Sequence, residues 1–362
     1  TEKTLTVKVN SVSTYPSGAP SSITMRLPAN GVRGVDAAGI NQYSPASADT
    51  HSFDLTTTTV GSLEVRINSD TPETGVAIVD TNQSTEVELT KFDLEVEDAN
   101  VYVDDIQVTV YGSSYLSALR LYDGDTLIDE ETAASTVTFD DLDYLISADT
   151  TKTLTIKGVV PATSSVSAGV VRVYNVQVTD AYNENYDTIT ASPNDADGYY
   201  IFLYTKAPII SVDSTSITTS NASGTSGTDL AEFTINFTVT AQGGDIYVAK
   251  TLEYSTTSTS TSKITAIVER GTTEATASSA ILTVSGATAG TFGYHIPEGT
   301  SATFSVKITL NNVGGTAGDY RGKIKAIAWN TSDTSTGATV WVDSTHAWLQ
   351  YLRTGYTYLV TY

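Results

Sequence analysis

The 362-residue chain contains no cysteine, three histidines and one methionine. The absence of cysteine excludes disulfide bonds, thiolate catalysis and zinc sites built from cysteine. The histidines His51, His295 and His346 are far apart in sequence, so none of the usual paired-histidine metal motifs is present. We therefore expect the fold to depend on packed hydrophobic cores and on backbone pairing.

Positive charge and long apolar runs are also scarce. Lys and Arg number 19 against 41 Asp and Glu, which gives a formal net charge of −22. Such a chain repels nucleic-acid phosphates and anionic membrane surfaces, so neither is an expected partner. No apolar run approaches the ~20 residues that a membrane-spanning helix needs, and we expect no direct membrane insertion. Because the sequence opens on Thr1 without a signal peptide, we expect a mature, processed product.

Motifs typical of enzymes are missing as well. The sequence has no nucleophile elbow, phosphate-binding loop or dinucleotide-binding glycine pattern. Acidic residues are so numerous that no single pair indicates glycoside hydrolysis. We therefore expect a protein that is not an enzyme.

What the sequence does contain is typical of β-structure. Hydrophobic residues make up 40% of the chain, and Thr, Val, Ile and Tyr are the residue types that suit a pleated sheet. Alternating apolar and polar segments, such as 62–67, 91–97 and 232–240, are separated by Gly, Asn, Asp and Ser. This pattern predicts an all-β fold made of tandem immunoglobulin-like β-sandwiches.

A repeated strand pattern divides the chain into units. The segments 4–8, 153–157 and 303–307 all alternate apolar and polar residues, and they lie 149 and 150 residues apart. Each predicts a half-buried strand. The spacing is too long for a solenoid repeat and matches one β-sandwich with decorated loops.

A second similarity relates residues 89–108 to residues 230–249. At an offset of 141 residues it aligns Phe92 with Phe233. The offset is shorter than the spacing of the first repeat, so we expect insertions between the two landmarks.

The positions of these repeated segments predict two complete units and one partial unit. Residues 61–206 and 207–362 each form a β-sandwich, and residues 1–60 match only the later part of a unit. We expect this leading part to present an unpaired edge and an uncovered apolar face. The segment Lys206-Ala207-Pro208 follows a predicted strand and is a candidate hinge between the complete units.

Residues 86–206 contain 22 of the 41 acidic residues and only six Lys and Arg. The best candidate for a Ca²⁺ site is Asp180, Asn183, Asn185 and Asp187, whose side chains offer hard oxygen ligands. Ca²⁺ is the single cofactor we consider. The alternative is a solvated acidic surface that maintains solubility and resists edge pairing.

Asparagines in Asn-x-Ser/Thr sequons are candidate glycosylation sites. We consider Asn82, Asn221 and Asn330, whereas Asn236 lies in a predicted strand and is a poor acceptor. Four sequons in a Thr-rich chain are near the number that chance produces.

Both ends of the chain carry alternating apolar strands. Residues 1–10 place Leu5, Val7 and Val9 on one face. Either such a strand docks in its own sheet, or it completes the sheet of a neighbouring subunit.

The C-terminal segment 346–362 is predicted as a second strand of this kind. It places Tyr356, Tyr358 and Val360 on one face. Together with Leu5, Val7 and Val9 these residues are candidates for a subunit interface.

The stretches LTKFDLEVEDANVYVDDIQVTV (89–110), LRLYDGDTLID (119–129) and TVTFDDLDYLISADTTKTLTIKG (136–158) resemble a known family. They are similar to the tandem Ig-like β-sandwich repeats of prokaryotic cell-surface proteins, including surface-layer-like proteins and extracellular filament subunits of candidate-phylum bacteria. The resemblance is strongest over 61–206. It implies an extracellular structural or adhesive role and no catalytic residues.

The resemblance and the terminal strands together lead to a functional expectation. We expect a structural subunit of a pilus-like extracellular filament, whose identical copies polymerise head to tail by inter-subunit β-strand complementation. Two other roles stay open. One is a surface-layer lattice protein that needs Ca²⁺, and the other is a monomeric adhesin or carbohydrate-binding module that binds glycans.

Overall fold

The computed structural model describes residues 22–35, 38–54, 61–162, 169–220, 230–254, 262–275, 277–311 and 317–359. Within these ranges every regular element is a β-strand or a short 3₁₀ helix. The predicted all-β fold is therefore confirmed. Donor candidates Leu5, Val7 and Val9 in residues 1–10, together with Val360 and Asn221, lie outside the described residues.

The first sandwich consists of two facing sheets within residues 62–204. Its elements are β5 (Ser62–Ile67), β6 (Gly75–Ile78), β7 (Thr85–Glu97), β8 (Val101–Tyr111), a 3₁₀ helix (Ser113–Tyr115), β9 (Ala118–Asp123), β10 (Thr126–Thr132), β11 (Thr136–Phe139), β12 (Tyr144–Ile146), β13 (Thr150–Val160), β14 (Gly169–Asn183) and β15 (Ile201–Tyr204). One sheet has the order β10-β9-β13-β7-β5 and the other β11-β8-β14-β15-β6, with β12 also paired to β8.

The second sandwich lies within residues 207–359. Its elements are β16 (Ala207–Ser220), β17 (Leu230–Gln242), β18 (Ile246–Ala249), β19 (Leu252–Glu253), β20 (Ile264–Arg270), β21 (Thr273–Ala275), β22 (Ser279–Ser285), β23 (Thr288–Ala289), β24 (Gly293–Ile296), β25 (Ser301–Asn311), β26 (Gly318–Asn330), β27 (Thr339–Val342), a 3₁₀ helix (Ala347–Tyr351) and β28 (Thr357–Leu359). One sheet has the order β16-β17-β25-β22. The other has β19-β20-β26-β18-β24-β23, with β21 paired to β20 and β27 and β28 to β26.

Both sandwiches have immunoglobulin-like pairing. The strands β5, β7, β13 and β9 correspond to A, B, E and D of an immunoglobulin domain, and β8, β14 and β15 to C, F and G. In the second sandwich β16, β17, β25 and β22 form the equivalent A-B-E-D sheet. Inward side chains such as Phe92 and Phe304 are fully buried.

The two described copies of the repeat occupy the same position in both sandwiches. Residues 153–157 lie in β13 and pair with β7, whereas residues 303–307 lie in β25 and pair with β17. The repeat therefore marks the central E strand of the A-B-E-D sheet.

The register corrects the second sequence similarity. Leu154 lies opposite Phe92, and the equivalent Phe304 lies opposite Phe237. Phe92 therefore corresponds to Phe237, and its alignment with Phe233 is wrong by four residues. A shift by an even number keeps the same side chains on the core face, so the alternation could not reveal the error.

The junction between the sandwiches is an aromatic core. Phe202 and Tyr204 of β15 belong to the hydrophobic core of the second sandwich. The indole N–H of Trp341 donates a hydrogen bond to the Tyr204 hydroxyl at 3.1 Å. The predicted hinge at Lys206-Ala207-Pro208 is wrong, because Ala207 is buried and begins β16 only three residues after β15 ends.

The leading strands form two small sheets. They are β1 (Ser22–Leu27), β2 (Val32–Val35), β3 (Asn41–Ser44) and β4 (Asp49–Asp54). β1 pairs with β4 and β2 pairs with β3, both antiparallel. Among the described residues, neither hydrophobic core contains a member that precedes Leu63.

Candidate assembly surfaces

The outer edge of β16 leaves the core side of the second sandwich open. β16 ends its sheet, and Thr215 and Thr219 lie opposite Ile235 and Ala231 of β17. Cross-strand partners point to the same side of a sheet, and both β17 residues are fully buried. Thr215 and Thr219 therefore face the core side, yet they are exposed, because no strand among the described residues lies beyond β16.

This edge carries little that would prevent pairing. Between Ser211 and Ser220 the only charged residue is Asp213, whose carboxylate accepts a hydrogen bond from Thr238 Oγ1 at 2.8 Å. A register shift occurs between Val212 and Ser214, and pairing with β17 is regular beyond it. Natural edge strands are usually protected from pairing by charge, proline or distortion. The residues of β16 beyond the register shift lack these features, so they could pair with an added strand.

Both edges of the β10-β9-β13-β7-β5 sheet of the first sandwich are protected. Along β5, the Val65 N–H donates to the Pro193 carbonyl and the Ser192 N–H to the Leu63 carbonyl, both at 2.8 Å. The opposite edge, β10, carries three consecutive acidic residues, 129–131. Strand addition is therefore blocked by backbone cover on one side and discouraged by charge on the other.

The second sandwich has another edge, β22, which is less open. It has seven residues against the 14 of β16. Its core-side residues Ala280, Leu282 and Val284 are already half-buried. β16 is therefore the edge that offers more uncovered core side.

The leading strands expose apolar side chains. Val35, Ile40 and Tyr43 are 59%, 60% and 54% exposed, and Leu27 and Val32 are also exposed. β1 and β4 form a two-stranded sheet, which is marginal by itself in water. That residues 1–60 form a partial unit with an uncovered apolar face stays a prediction.

The predicted C-terminal strand 346–362 is wrong as a single strand. Residues Ala347–Tyr351 form a 3₁₀ helix, and only Thr357–Leu359 are a strand, which pairs with Gly318–Tyr320 of β26. Leu359 is buried. The described part of this strand therefore docks in its own sheet, which was the alternative to donation.

The two described tyrosines of the predicted interface remain at the surface. The Tyr356 hydroxyl donates to the Gly271 carbonyl at 2.9 Å, and the Arg321 guanidinium lies 4.5 Å from its ring centroid. Tyr358 is 62% exposed. Their role in a subunit interface stays a prediction.

The four proposed calcium ligands do not form one set. Asn183 Oδ1 accepts the backbone N–H groups of Asn185 and Asp187 at 2.9 and 3.0 Å, so it closes the turn. Asp180 is exposed whereas Asn183 is buried. The strand is irregular on both sides of Asp180, so the spacing along the sequence does not bring the two side chains together. Across the described ranges, no group of three or more His, Asp or Glu residues could hold a metal ion.

Two predicted glycosylation sites differ in accessibility. Asn82 is exposed in the loop between β6 and β7. Asn330 is buried, and its Nδ2 donates to the carbonyls of Thr334 and Thr336 at 2.7 and 3.1 Å. The prediction of a glycan at Asn330 is therefore wrong for the folded chain, because its amide is already engaged.

Charge is distributed unevenly along the chain. Residues 61–206 hold 26 acidic and seven basic residues, whereas 207–362 hold 11 and eight, and 1–60 hold four of each. The first sandwich thus accounts for a net charge of −19 out of −22. Repulsion between copies comes mainly from this unit.

One ion-pair network lies on the second sandwich under the C-terminal segment. Glu269 accepts hydrogen bonds from Arg321 Nε at 2.6 Å and from Lys323 Nζ at 2.5 Å, and Lys323 also donates to Asp343 at 2.8 Å. Burial opposes ionisation of Glu269, but the two cations outweigh it, so the pKa of Glu269 lies below its ordinary value. The network is a structural ion pair, since all its members have partners.

Comparisons with known proteins do not identify a family. No family model and no curated protein matches the chain. Among solved structures, a marsupial T cell receptor is 8% identical, with 77% of this chain and 99% of that chain covered and a TM-score of 0.19. The E. coli CFA/I adhesin CfaE is 11% identical, with 77% and 84% covered and a TM-score of 0.21. The C-terminal domain of Streptococcus pyogenes AspA is 6% identical, with 76% and 97% covered and a TM-score of 0.19.

TM-scores this low carry no argument about function, so the architecture rests on the strand order itself. The described part of the chain also has no helix long and apolar enough to cross a membrane.

The residues predicted from the sequence as calcium ligands or glycosylation sites do not lie on the open edge of β16 within the described residues. The available signal was the nearly uncharged Ser/Thr stretch 211–220.

Proposed function

We propose that the chain is a structural, non-catalytic subunit of an extracellular pilus-like filament, in which identical copies join head to tail by β-strand complementation. The observation that carries this proposal is the open core side of β16, where Thr215 and Thr219 face the core but are exposed. A strand added along this edge would satisfy backbone groups and cover the core side. A contact between two different surfaces of identical copies does not close, so it propagates.

The donor in this proposal is the segment 1–10 of the next copy. Ten extended residues span about 33 Å, and the exposed stretch Ser211–Ser220 has the same number of residues. The alternation of Leu5, Val7 and Val9 would place apolar side chains over the open core side, where Ile217 is half-buried.

Charge supports the same donor. Residues 1–10 contain Lys3 and Lys8 against Glu2, so this segment is slightly basic in a strongly acidic chain. Attraction to an acidic neighbour favours encounter. The described part of the other candidate, Thr357–Leu359, is already paired with β26.

Deletion of residues 1–10 tests the donor. We expect the truncated chain to stay folded and soluble but to form no filaments in negative-stain microscopy, because the acceptor edge then lacks its strand. A synthetic peptide of residues 1–10 should bind the truncated chain, and the same peptide with Val7→Asp is the matched control. Filaments of normal appearance from the truncated chain would refute strand donation by this segment.

The same preparation discriminates the alternative roles. A surface-layer lattice held by Ca²⁺ would disperse on chelation, whereas buried strands are indifferent to chelators. A monomeric adhesin would elute as a monomer at all concentrations. An extracellular location belongs to the proposal and is checked by labelling intact cells with an antibody.

A further inference from the structure

A groove crosses the junction between the two sandwiches. Its volume is about 230 Å³, and its lining combines residues from both units: Glu73, Thr74, Tyr199, Ala347, Trp348 and Tyr351. Clefts between domains are common places for small-molecule sites. The groove is complete within one chain, so it is independent of polymerisation.

The aromatic walls of this groove are held in place. The Trp348 ring makes edge contacts with Phe202, Trp341 and His346, with centroids 5.2, 5.1 and 5.0 Å apart. Tyr351 donates its hydroxyl hydrogen to Glu73 Oε2 at 2.8 Å, across the junction. Walls fixed before binding lose little entropy when a ligand enters.

The surfaces that face solvent are aromatic. Tyr351 is 58% and Tyr199 is 46% exposed. Single exposed aromatic residues are ordinary on a protein surface. Here two of them, together with the half-buried Trp348, line one cavity beside a carboxylate.

We propose that this groove binds a pyranose unit of a neutral oligosaccharide. The C–H groups on the face of a pyranose ring pack against aromatic rings, and its hydroxyl groups donate to a carboxylate such as Glu73. Trp348 lines the groove and is half-buried, so part of its ring is available for such packing. The net charge of −19 on residues 61–206 disfavours acidic sugars.

Titration of the full-length chain with tri-N-acetylchitotriose and cellotriose, followed by calorimetry and Trp fluorescence, tests the site. We expect binding of at least one of these neutral probes and none of trigalacturonate, which has the same ring size but carries carboxylates. Tyr351→Ala should weaken binding about tenfold or more, because one aromatic wall is lost. Tyr358→Ala, which removes an exposed tyrosine of the same sandwich outside the groove, is the matched control.

A second variant distinguishes loss of the groove from loss of the folded structure. Thr74→Trp fills the groove without removing any junction contact described above, and we expect it to abolish binding while the thermal unfolding midpoint stays within a few degrees. The proposal is overturned if none of the neutral probes binds at millimolar concentration. It is also overturned if trigalacturonate binds as well as they do, or if both groove variants bind like the unmodified chain.

Discussion

A lysine placed on the core side of β16 separates strand addition from other modes of assembly. In an isolated subunit the side chain of a Thr215→Lys variant reaches water around the open edge, since Thr215 is exposed. An added strand would close that path and trap the ammonium group between the new strand and the core. Inward-pointing charges near an edge are one way in which natural sheets avoid edge pairing.

The magnitude follows from the length of the edge. A ten-residue edge presents N–H and C=O groups on alternate residues, so a complete added strand makes at most about ten backbone hydrogen bonds, and fewer where the register shift between Val212 and Ser214 interrupts it. At about 1 kcal/mol net each they contribute at most about 10 kcal/mol, against an association cost of about 4–15 kcal/mol. The net free energy of adding a strand is therefore small compared with either contribution. An unpaired charge buried at a cost of about 3 kcal/mol or more weakens each contact by a factor of about 150 or more.

The matched control is Thr218→Lys on the same strand. Thr218 lies opposite Glu232, on the outer face of the sheet, where a lysine stays in water whether or not a strand is added. Both variants should unfold at nearly the same temperature as the unmodified chain. Sedimentation and negative-stain microscopy should find filaments for Thr218→Lys and monomers for Thr215→Lys. Equal polymerisation of the two variants would refute the acceptor edge.

Two further predictions concern the stability of the second sandwich. Gly243→Ala should lower the free energy of unfolding by about 3 kcal/mol. Gly243 has φ +75°, and a Cβ there would lie 2.0 Å from the Thr205 carbonyl oxygen at the junction. Unfolding in denaturant measures the free energy, and a loss below about 1 kcal/mol would contradict the close approach of these two backbone segments. Glu269→Gln should cost about 2–3 kcal/mol at pH 7, since Arg321 loses its carboxylate while Lys323 keeps Asp343. The pKa of Glu269 is lowered in the folded state, so its contribution is complete above the unfolded pKa of about 4.3 and disappears as pH falls through the folded pKa. The difference between the two chains should therefore shrink below about pH 4, and a constant difference down to pH 2 would contradict the ion-pair assignment.

Strand positions could be predicted from the sequence because alternation of side chains follows directly from the pleat. The segments 62–67 and 232–240 were predicted in this way and lie in β5 and β17. Alternation does not tell which strand ends a sheet, because that depends on pairing between distant residues. The nearly uncharged stretch 211–220 is apparent in the sequence, but that it forms an open edge could be recognised only from the strand order.

The failures have equally local causes. Residues 346–362 alternate like a strand, but Ala347–Tyr351 turn so that Trp348 packs against Phe202 at the junction. Tertiary packing overrides local preference here. The calcium prediction rested on the spacing of oxygen ligands along the sequence, whereas in the structure Asp180 is exposed and the buried Asn183 Oδ1 accepts backbone N–H groups of its own turn.

The distribution of charge bears on how an open, nearly uncharged edge would behave between copies of the chain. An edge such as β16 would pair with any other free edge that it met, including its own equivalent in another copy. The first sandwich carries a net charge of −19, which raises the cost of bringing two subunits together in arbitrary orientations. A slightly basic ten-residue segment is repelled less by the acidic sandwich than a second acidic sandwich would be. In the proposed filament the acidity of one unit and the open edge of the other would therefore be complementary, because repulsion would suppress unselective pairing while the proposed donor segment could still reach the edge.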